Sequence, residues 1–350
     1  NYDTQAVKDE MFATASFWLE DVGVDGFRLD AVLYIDEDGS QHQTTPGTLQ
    51  FWQDYNAHVK SVEPDVLSVG EAWTATSTVL QYVSDDRLDF CFEFDLSYAT
   101  TGAVNGADPG YLAGKAGQVY NLYPYLQYGT FLTNHDQDRS FTEFGEEWGK
   151  ARAAAALYLT LPGVPFLYYG EEIGMTGSGA HENIRTPMQW SNDWQAGFTT
   201  GSAWWPVNGN YPARNVATLA ADNGSLLEWY KKLIHLRNEA PALRRGTLSV
   251  LGSSMDPVMA HLRTYEGQKL LCVTNTSGVA QGGITVSGSG ADFEPGDYLL
   301  VDLLDPSHTL AVTVTEGHAI ANLGLNGHAT RVYEFRSASP VGDRPADLPR

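Results

Sequence analysis

The sequence predicts an α/β fold built on a parallel sheet, followed by a separate all-β antiparallel domain. Up to about residue 244, short apolar runs alternate with segments of helical character. Beyond that point the runs are short, rich in β-branched residues and divided by Gly, Asn and Asp turns. A length of 350 residues is enough for one large domain and a smaller one.

The opening "NYDTQAVKDEM" reads as the start of a helix rather than as a natural amino terminus. Five strand-like runs follow: "GVDGFRLD", "VLSVGEAW", "LDFCFEFD", "YGTFLTNHD" and "GVPFLYYGEE". Between them lie helical segments that include "TLQFWQDYNAHVKSV" and "KARAAAALYLTL". From Ser225 to Leu243 the apolar positions Leu226, Leu227, Tyr230, Leu233, Ile234 and Leu236 recur at helical spacing, and Pro241 is expected to close that helix. The runs "TLSVLG", "VMAHLRTY", "KLLCVTNT", "YLLVDLL", "TLAVTV" and "RVYEF" then predict antiparallel strands over residues 245–336. The stretch "SASPVGDRPADLPR" (337–350) is expected to be a disordered tail.

With 43% hydrophobic and 18% charged residues, the composition is that of an ordinary soluble globular protein. No apolar stretch is long enough to span a bilayer, so no membrane partner is expected. A net charge of -22, from 43 acidic against 21 basic residues, opposes binding to nucleic acid and leaves a neutral substrate as the better fit. Cys91 and Cys272 both sit in apolar runs and read as two separate buried thiols, with no disulfide framework and no metal site.

The polar residues of the first part are not scattered. Arg28 and Asp30, then Glu71, then Asn134, His135 and Asp136 all fall at the carboxyl ends of strand-like runs. In a parallel βα barrel those ends converge on one face, where catalysis occurs. One acid at a strand end is commonly an N-cap for the next helix. Three acids on three strands, each with polar or aromatic company, are hard to explain that way.

In "DGFRLDAV" (Asp25 to Val32), "VGEAW" (Val69 to Trp73) and "FLTNHDQDR" (Phe131 to Arg139), in that order and spacing, the chain resembles the α-amylase family of glycoside hydrolases, family 13. The resemblance continues through "GVPFLYYGEEIGM" and "NIRTPMQW" (Asn183 to Trp190), and the terminal β domain is similar to the family's domain C. It implies a partial (β/α)8 TIM barrel, strands 4 to 8, over residues 1–244, followed by an antiparallel β sandwich over 245–336. It also implies a retaining hydrolase, which needs a nucleophile and an acid/base about 5 Å apart. Asp30 matches the nucleophile, Glu71 the acid/base and Asp136 the acid that steadies the transition state. Arg28 would keep Asp30 ionised, and His135 would bind the same sugar ring. Trp73, Tyr34 and Tyr169 could stack on glucose rings, and Arg185 could reach the site from the loop after the last strand.

Against the family pattern, the first three barrel strands, an Asp and Asn-His motif and the inserted domain B have no counterpart in this sequence. Much of the usual calcium site goes with them, so the metal requirement stays open. A homo-oligomer or a companion N-terminal fragment is expected to cover the open barrel. Leu33 stands where a lysine is common, which puts one outer sugar contact in question. The substrate implied is an oligo- or polysaccharide of α-linked glucose. "GEAW" and "NHDQDR" lean toward α-amylases and neopullulanase-like enzymes, whereas "RTPMQW" also occurs in α-glucosidases, oligo-1,6-glucosidases and trehalose synthases. A catalytically silent glucan-binding or scaffold protein is the alternative of another class. An extracellular or periplasmic bacterial setting is favoured over the cytoplasm.

Overall fold

The computed structural model describes residues 2–315 and 318–337, so the expectation for the tail falls almost wholly outside the described residues. A parallel sheet of five strands contains β1 (Gly26–Leu29), β2 (Leu67–Gly70), β3 (Phe90–Phe92), β4 (Tyr128–Thr130) and β5 (Val164–Pro165), in chain order. Each strand arises from one of the five apolar runs, and helices connect them, the arrangement expected for part of a (β/α)8 barrel. The run around Arg28 reads from sequence as a buried strand. Here β1 is the edge of the sheet, with Arg28 exposed and Gly26, Phe27 and Leu29 only partly covered.

The helix Pro46–Val62 shows how local chemistry sets these elements. Thr45 caps it by accepting from the Thr48 amide at 3.0 Å, and Pro46 occupies the first turn, where its missing N–H costs nothing. Phe51, Trp52, Tyr55 and Val59 recur on one face and are buried, and the Trp52 indole donates to the Val32 carbonyl at 2.8 Å. The helix Trp148–Thr160 is buried nearly all round from Ala151 to Thr160, because its run of alanines lets neighbours approach closely. The helix expected from Ser225 to Leu243 is in fact two. Leu226–Glu239 ends before Ala240, which the following proline holds extended at φ -94°, ψ 103°, and Pro241–Arg245 starts afresh.

Glu171 follows β5 and lies buried against Tyr158, whose hydroxyl donates to it at 2.7 Å, and against Tyr230. Burial pushes its carboxyl from an ordinary 4.5 up to about 8. The folded state therefore binds more protons than the unfolded chain between those values. This contribution to stability is full below 4.5 and is lost as pH rises through 8. Glu171→Gln, neutral throughout, is expected to lessen the loss of stability between pH 5 and pH 9 by on the order of 3 kcal/mol. Thermal melts at the two pH values check this; parallel declines in variant and parent would refute it.

The second sheet has eight antiparallel strands: β6 (Thr247–Ser253), β7 (Val258–Tyr265), β8 (Gln268–Asn275), β9 (Gln281–Ser287), β10 (Gly296–Asp302), β11 (Thr309–Val314), β12 (Ala319–Leu325) and β13 (Thr330–Ser337). Their order is β11-β10-β13-β8-β7-β6-β9-β12. The sheet turns a corner in β6, which pairs with β7 over Thr247–Leu251 and with β9 at Gly252 and Ser253. A side chain at Gly252 would come within 2.8 Å of the Ser287 hydroxyl, so glycine suits this corner. The two folded-over halves share a core that includes Leu251, Leu271, Ile284, Leu300, Ile320 and Tyr333. Strands β9 and β12 have no counterpart among the six runs read from the sequence, since "QGGITVS" and "AIANLGL" carry glycines that dilute the strand signal.

Leu248, Met259, Leu270, Cys272 and Val332 of this sheet join the same apolar cluster as the barrel helices. Cys91 and Cys272 are both free and fully buried, and burial pushes the Cys272 thiol up to about 12, which leaves it inert. No helix among the described residues is long and apolar enough to cross a membrane.

Candidate active site

The parallel register brings the carboxyl ends of β1 and β2 level, with Leu29 opposite Gly70. Beyond the strands the pairing continues: the Glu71 amide donates to the Leu29 carbonyl at 2.9 Å, and the Val32 amide to the Glu71 carbonyl at 3.1 Å. Asp30 and Ala31 therefore bulge out opposite Glu71. Ala31 takes a positive φ of 46°, a strained conformation for alanine, and its amide donates to Glu71 Oε2 at 3.2 Å.

Arg28 ties the two acids together. Its Nη1 donates to Asp30 Oδ1 in a short contact, and its Nη2 lies 3.0 Å from Glu71 Oε2. The environments of the two carboxylates differ: the Asp30 side chain is 78% exposed, that of Glu71 only 9%. One is open to solvent while the other is shielded.

The third acid has its own support. The Asp136 amide donates to Asn134 Oδ1 at 2.9 Å, which shapes the turn beyond β4. Its carboxylate receives Arg185 Nη2 at 2.6 Å on Oδ1 and lies 3.1 Å from His135 Nε2 on Oδ2. Arg185 also donates from Nε to the His135 carbonyl at 2.8 Å, so the "RTPMQW" segment is anchored to the turn after β4. A cavity of about 330 Å³ is lined by Arg28, Asn134 and His135, together with Phe92, Phe131 and Tyr168 among others. Arg28, the partner of Asp30 and Glu71, and His135, the partner of Asp136, thus line one space.

The aromatic candidates divide. Trp73 is 42% exposed; its ring stacks on Phe94 at 4.7 Å, and its indole donates to the Tyr98 hydroxyl at 3.0 Å, which fixes its plane two residues beyond Glu71. Tyr169 is half-exposed, with its hydroxyl donating to the Thr186 carbonyl at 2.7 Å. Tyr34 lies exposed in the turn after β1 with its amide on the Ala31 carbonyl, and no hydrogen bond or ring contact joins it to the acids. Leu33 is buried in the core and offers nothing to a sugar.

Sequence reasoning missed three residues. His181, whose Nδ1 lies 3.6 Å from Asp136 Oδ1 and in close contact with Arg185, belongs to a short helix with no motif of its own. Arg139, quoted within "NHDQDR", is buried with its guanidinium 4.6 and 4.7 Å from the rings of Tyr168 and Tyr169, and Nη1 donates to the Tyr169 carbonyl at 2.7 Å. Glu93 sits at the end of β3 as Glu71 sits at the end of β2. Its position is the same signal, yet it is wholly buried, bonded to Tyr123 and to Thr76 at 2.8 Å, and burial raises its pKa. It holds the scaffold rather than facing the cavity. Among the described residues no three His, Cys, Asp or Glu side chains converge to hold a metal ion.

Comparison with known proteins identifies the family. The model described as "Alpha amylase, catalytic domain" matches residues 1–246. Alpha-amylase 3 of Dictyoglomus thermophilum is 35% identical over 281 residues, covering 79% of this chain and 54% of that protein. Oligo-1,6-glucosidase of Parageobacillus thermoglucosidasius is 29% identical over 345 residues, covering 79% of this chain and 61% of that protein. The crystal structure of the alpha-amylase from H. orenii superposes with a TM-score of 0.78 at 32% identity, over 96% of this chain and 66% of that one. The chain spans about half the length of the curated relatives it matches.

Proposed function

Because the chain belongs to the α-amylase family of glycoside hydrolases, we propose that it acts as a retaining α-glucan hydrolase, cleaving α-1,4-glucosidic bonds of starch, maltodextrins or maltooligosaccharides through a covalent glycosyl-enzyme intermediate. The observation that carries this reading is the shared guanidinium of Arg28. Carboxylates bonded to the two terminal nitrogens of one guanidinium lie within a few ångströms of each other, in keeping with the separation of about 5–5.5 Å that double displacement needs. In this reading residues 1–244 supply the catalytic part and 245–336 the β domain.

In the first step an Asp30 oxygen attacks the anomeric carbon while Glu71 protonates the departing glycosidic oxygen. In the second, Glu71 takes a proton from water, which displaces Asp30 and restores the original anomer. Arg28 stabilises the charged nucleophile, and exposure of Asp30 leaves it open to the sugar. Asp136, held by Arg185 and His135, presents negative charge toward the oxocarbenium-like transition state. His135 and Trp73 bind the sugar rings.

Glu71→Gln tests the assignment most directly. Turnover of maltooligosaccharides is expected to fall by roughly 10²–10⁴-fold, whereas aryl glucosides with activated leaving groups, which need no proton, fall far less. Equal losses on both substrates would refute Glu71 as the acid. A second reading, α-glucosidase, oligo-1,6-glucosidase or trehalose-synthase-like transglycosylation, is favoured by the contact of Arg185, from "RTPMQW", with Asp136. Faster turnover of isomaltose than of maltotriose, or net sugar transfer in place of hydrolysis, would establish it.

A further inference from the structure

The short helix His181–Ile184 carries one side chain that the mechanism above does not use. His181 begins it and Arg185 follows it, four positions apart, so one turn brings the two side chains together. Arg185 Nη2 carries two N–H groups. One donates to Asp136 Oδ1 at 2.6 Å, which leaves the other for His181 Nδ1, in close contact with the same nitrogen. A guanidinium can only donate, so Nδ1 must offer its lone pair and the neutral ring keeps its proton on Nε2. Nδ1 itself lies 3.6 Å from Asp136 Oδ1.

The segment is held in this place by backbone contacts. The hydroxyls of Tyr168 and Tyr169 donate to the carbonyls of Ile184 and Thr186 at 2.9 and 2.7 Å, on either side of Arg185, and the Ile184 side chain is buried. Before the helix, the Gly179 amide donates to Asp138 Oδ1 at 2.8 Å, which ties the segment to the stretch after β4. The charged and titratable groups about the ring are Arg185 and Asp136, His135 on the other oxygen of Asp136 at 3.1 Å, Asp138 beyond Gly179, and Glu182 next in the chain.

We propose that His181 is a positioning residue for the reaction: its neutral Nδ1 takes one N–H of Arg185 Nη2 and so aims the other at Asp136, and protonation of the ring undoes the arrangement. The inference rests on the hydrolase reading above and adds to it a control by pH. Imidazole is the side chain whose charge ordinarily changes between pH 5 and pH 8. A second proton has only the Nδ1 lone pair to occupy, which is the one Arg185 uses. Protonated His181 therefore sets a second cation against Arg185 and competes with it for Asp136 Oδ1. Asp136 then offers the transition state a carboxylate that is more fully neutralised and less firmly oriented.

Two variants of the full chain test this, with initial rates on maltotriose at pH 7.5 and pH 5.5. His181→Ala removes the acceptor and is expected to lower kcat/KM about tenfold at pH 7.5, chiefly in kcat. His181→Asn places an amide oxygen where Nδ1 stood, an acceptor that takes up no proton. It is expected to restore kcat/KM at pH 7.5 to within about threefold of the parent, and to lose at least about threefold less than the parent on going to pH 5.5. The His181 side chain is 63% exposed, so the fold survives both changes, and unchanged melting temperatures verify this. Nitrogen-15 spectra of the imidazole rings, with the His181 signal assigned by its absence from the asparagine variant, read the tautomer without any substrate. A proton on Nδ1 at pH 7.5, alanine and parent rates that coincide there, or an asparagine variant that declines with pH as steeply as the parent would overturn the proposal and leave the hydrolase reading intact. A parent with no turnover of maltotriose or isomaltose at either pH would overturn that reading and the catalytic role of His181 together.

Discussion

Asp30→Asn is expected to lower turnover of maltooligosaccharides on the order of 10⁴-fold while leaving the fold in place. The amide keeps the size and shape of the side chain but cannot form a stable ester with the anomeric carbon, so the double displacement stops at its first step. Stability should change by less than about 1 kcal/mol, for two structural reasons. Asp30 is 78% exposed, so no buried group is left unpaired, and Arg28 keeps its second partner, Glu71, at 3.0 Å. Initial rates on maltooligosaccharides, together with the anomer first formed by the parent, decide the matter. Near-normal rates in the variant, or an inverted first product, would exclude Asp30 as nucleophile.

Arg237→Met is expected to give the largest loss of stability, about 3 kcal/mol, with no residue of the candidate site touched. Arg237 is buried, and its guanidinium reaches no carboxylate. Nη1 donates to the carbonyls of Leu159 and Leu161 at 2.7 and 2.9 Å, and Nη2 to that of Gly163 at 2.7 Å. These carbonyls end the helix Trp148–Thr160 and lead into β5, where the negative end of the helix dipole favours a cation. Burial lowers the guanidinium pKa to about 9, which still leaves it charged at neutral pH. Methionine fills much of the volume and strands three acceptors. Denaturant titration measures the effect, and a midpoint equal to the parent's would show that those carbonyls had found other donors. Arg263 performs the matching task across the junction with the β domain, donating to the Thr160 carbonyl at 2.6 Å and to that of Gly246 at 3.0 Å.

Neither arginine could be assigned this work from the sequence. In "HLRNEA" and "AHLRTY" each looks like an ordinary cation beside apolar residues, and only the packed structure shows that each faces a helix end over 70 residues away in the chain. The same limit hid His181, which gains its meaning only because the loop after β5 folds back onto the turn after β4.

What the sequence determined by itself was local and periodic. Five apolar runs, each one strand long and spaced by helical segments, dictated a parallel sheet, and the side-chain period of a strand placed Arg28 and Asp30 on one face. The acids at the ends of β1 and β2 were legible for that reason: chain direction puts all carboxyl ends of a parallel sheet on one side. What tertiary structure alone decided was which of those acids share a space. Glu71 and Glu93 occupy the same position on neighbouring strands, yet Glu71 meets Arg28, whereas Glu93 is enclosed by Tyr123 and Thr76. Strand position fixes the side of the sheet on which a group emerges, but the partners it meets depend on residues far away in sequence, and partners determine whether a carboxylate is left to react or is held as part of the scaffold.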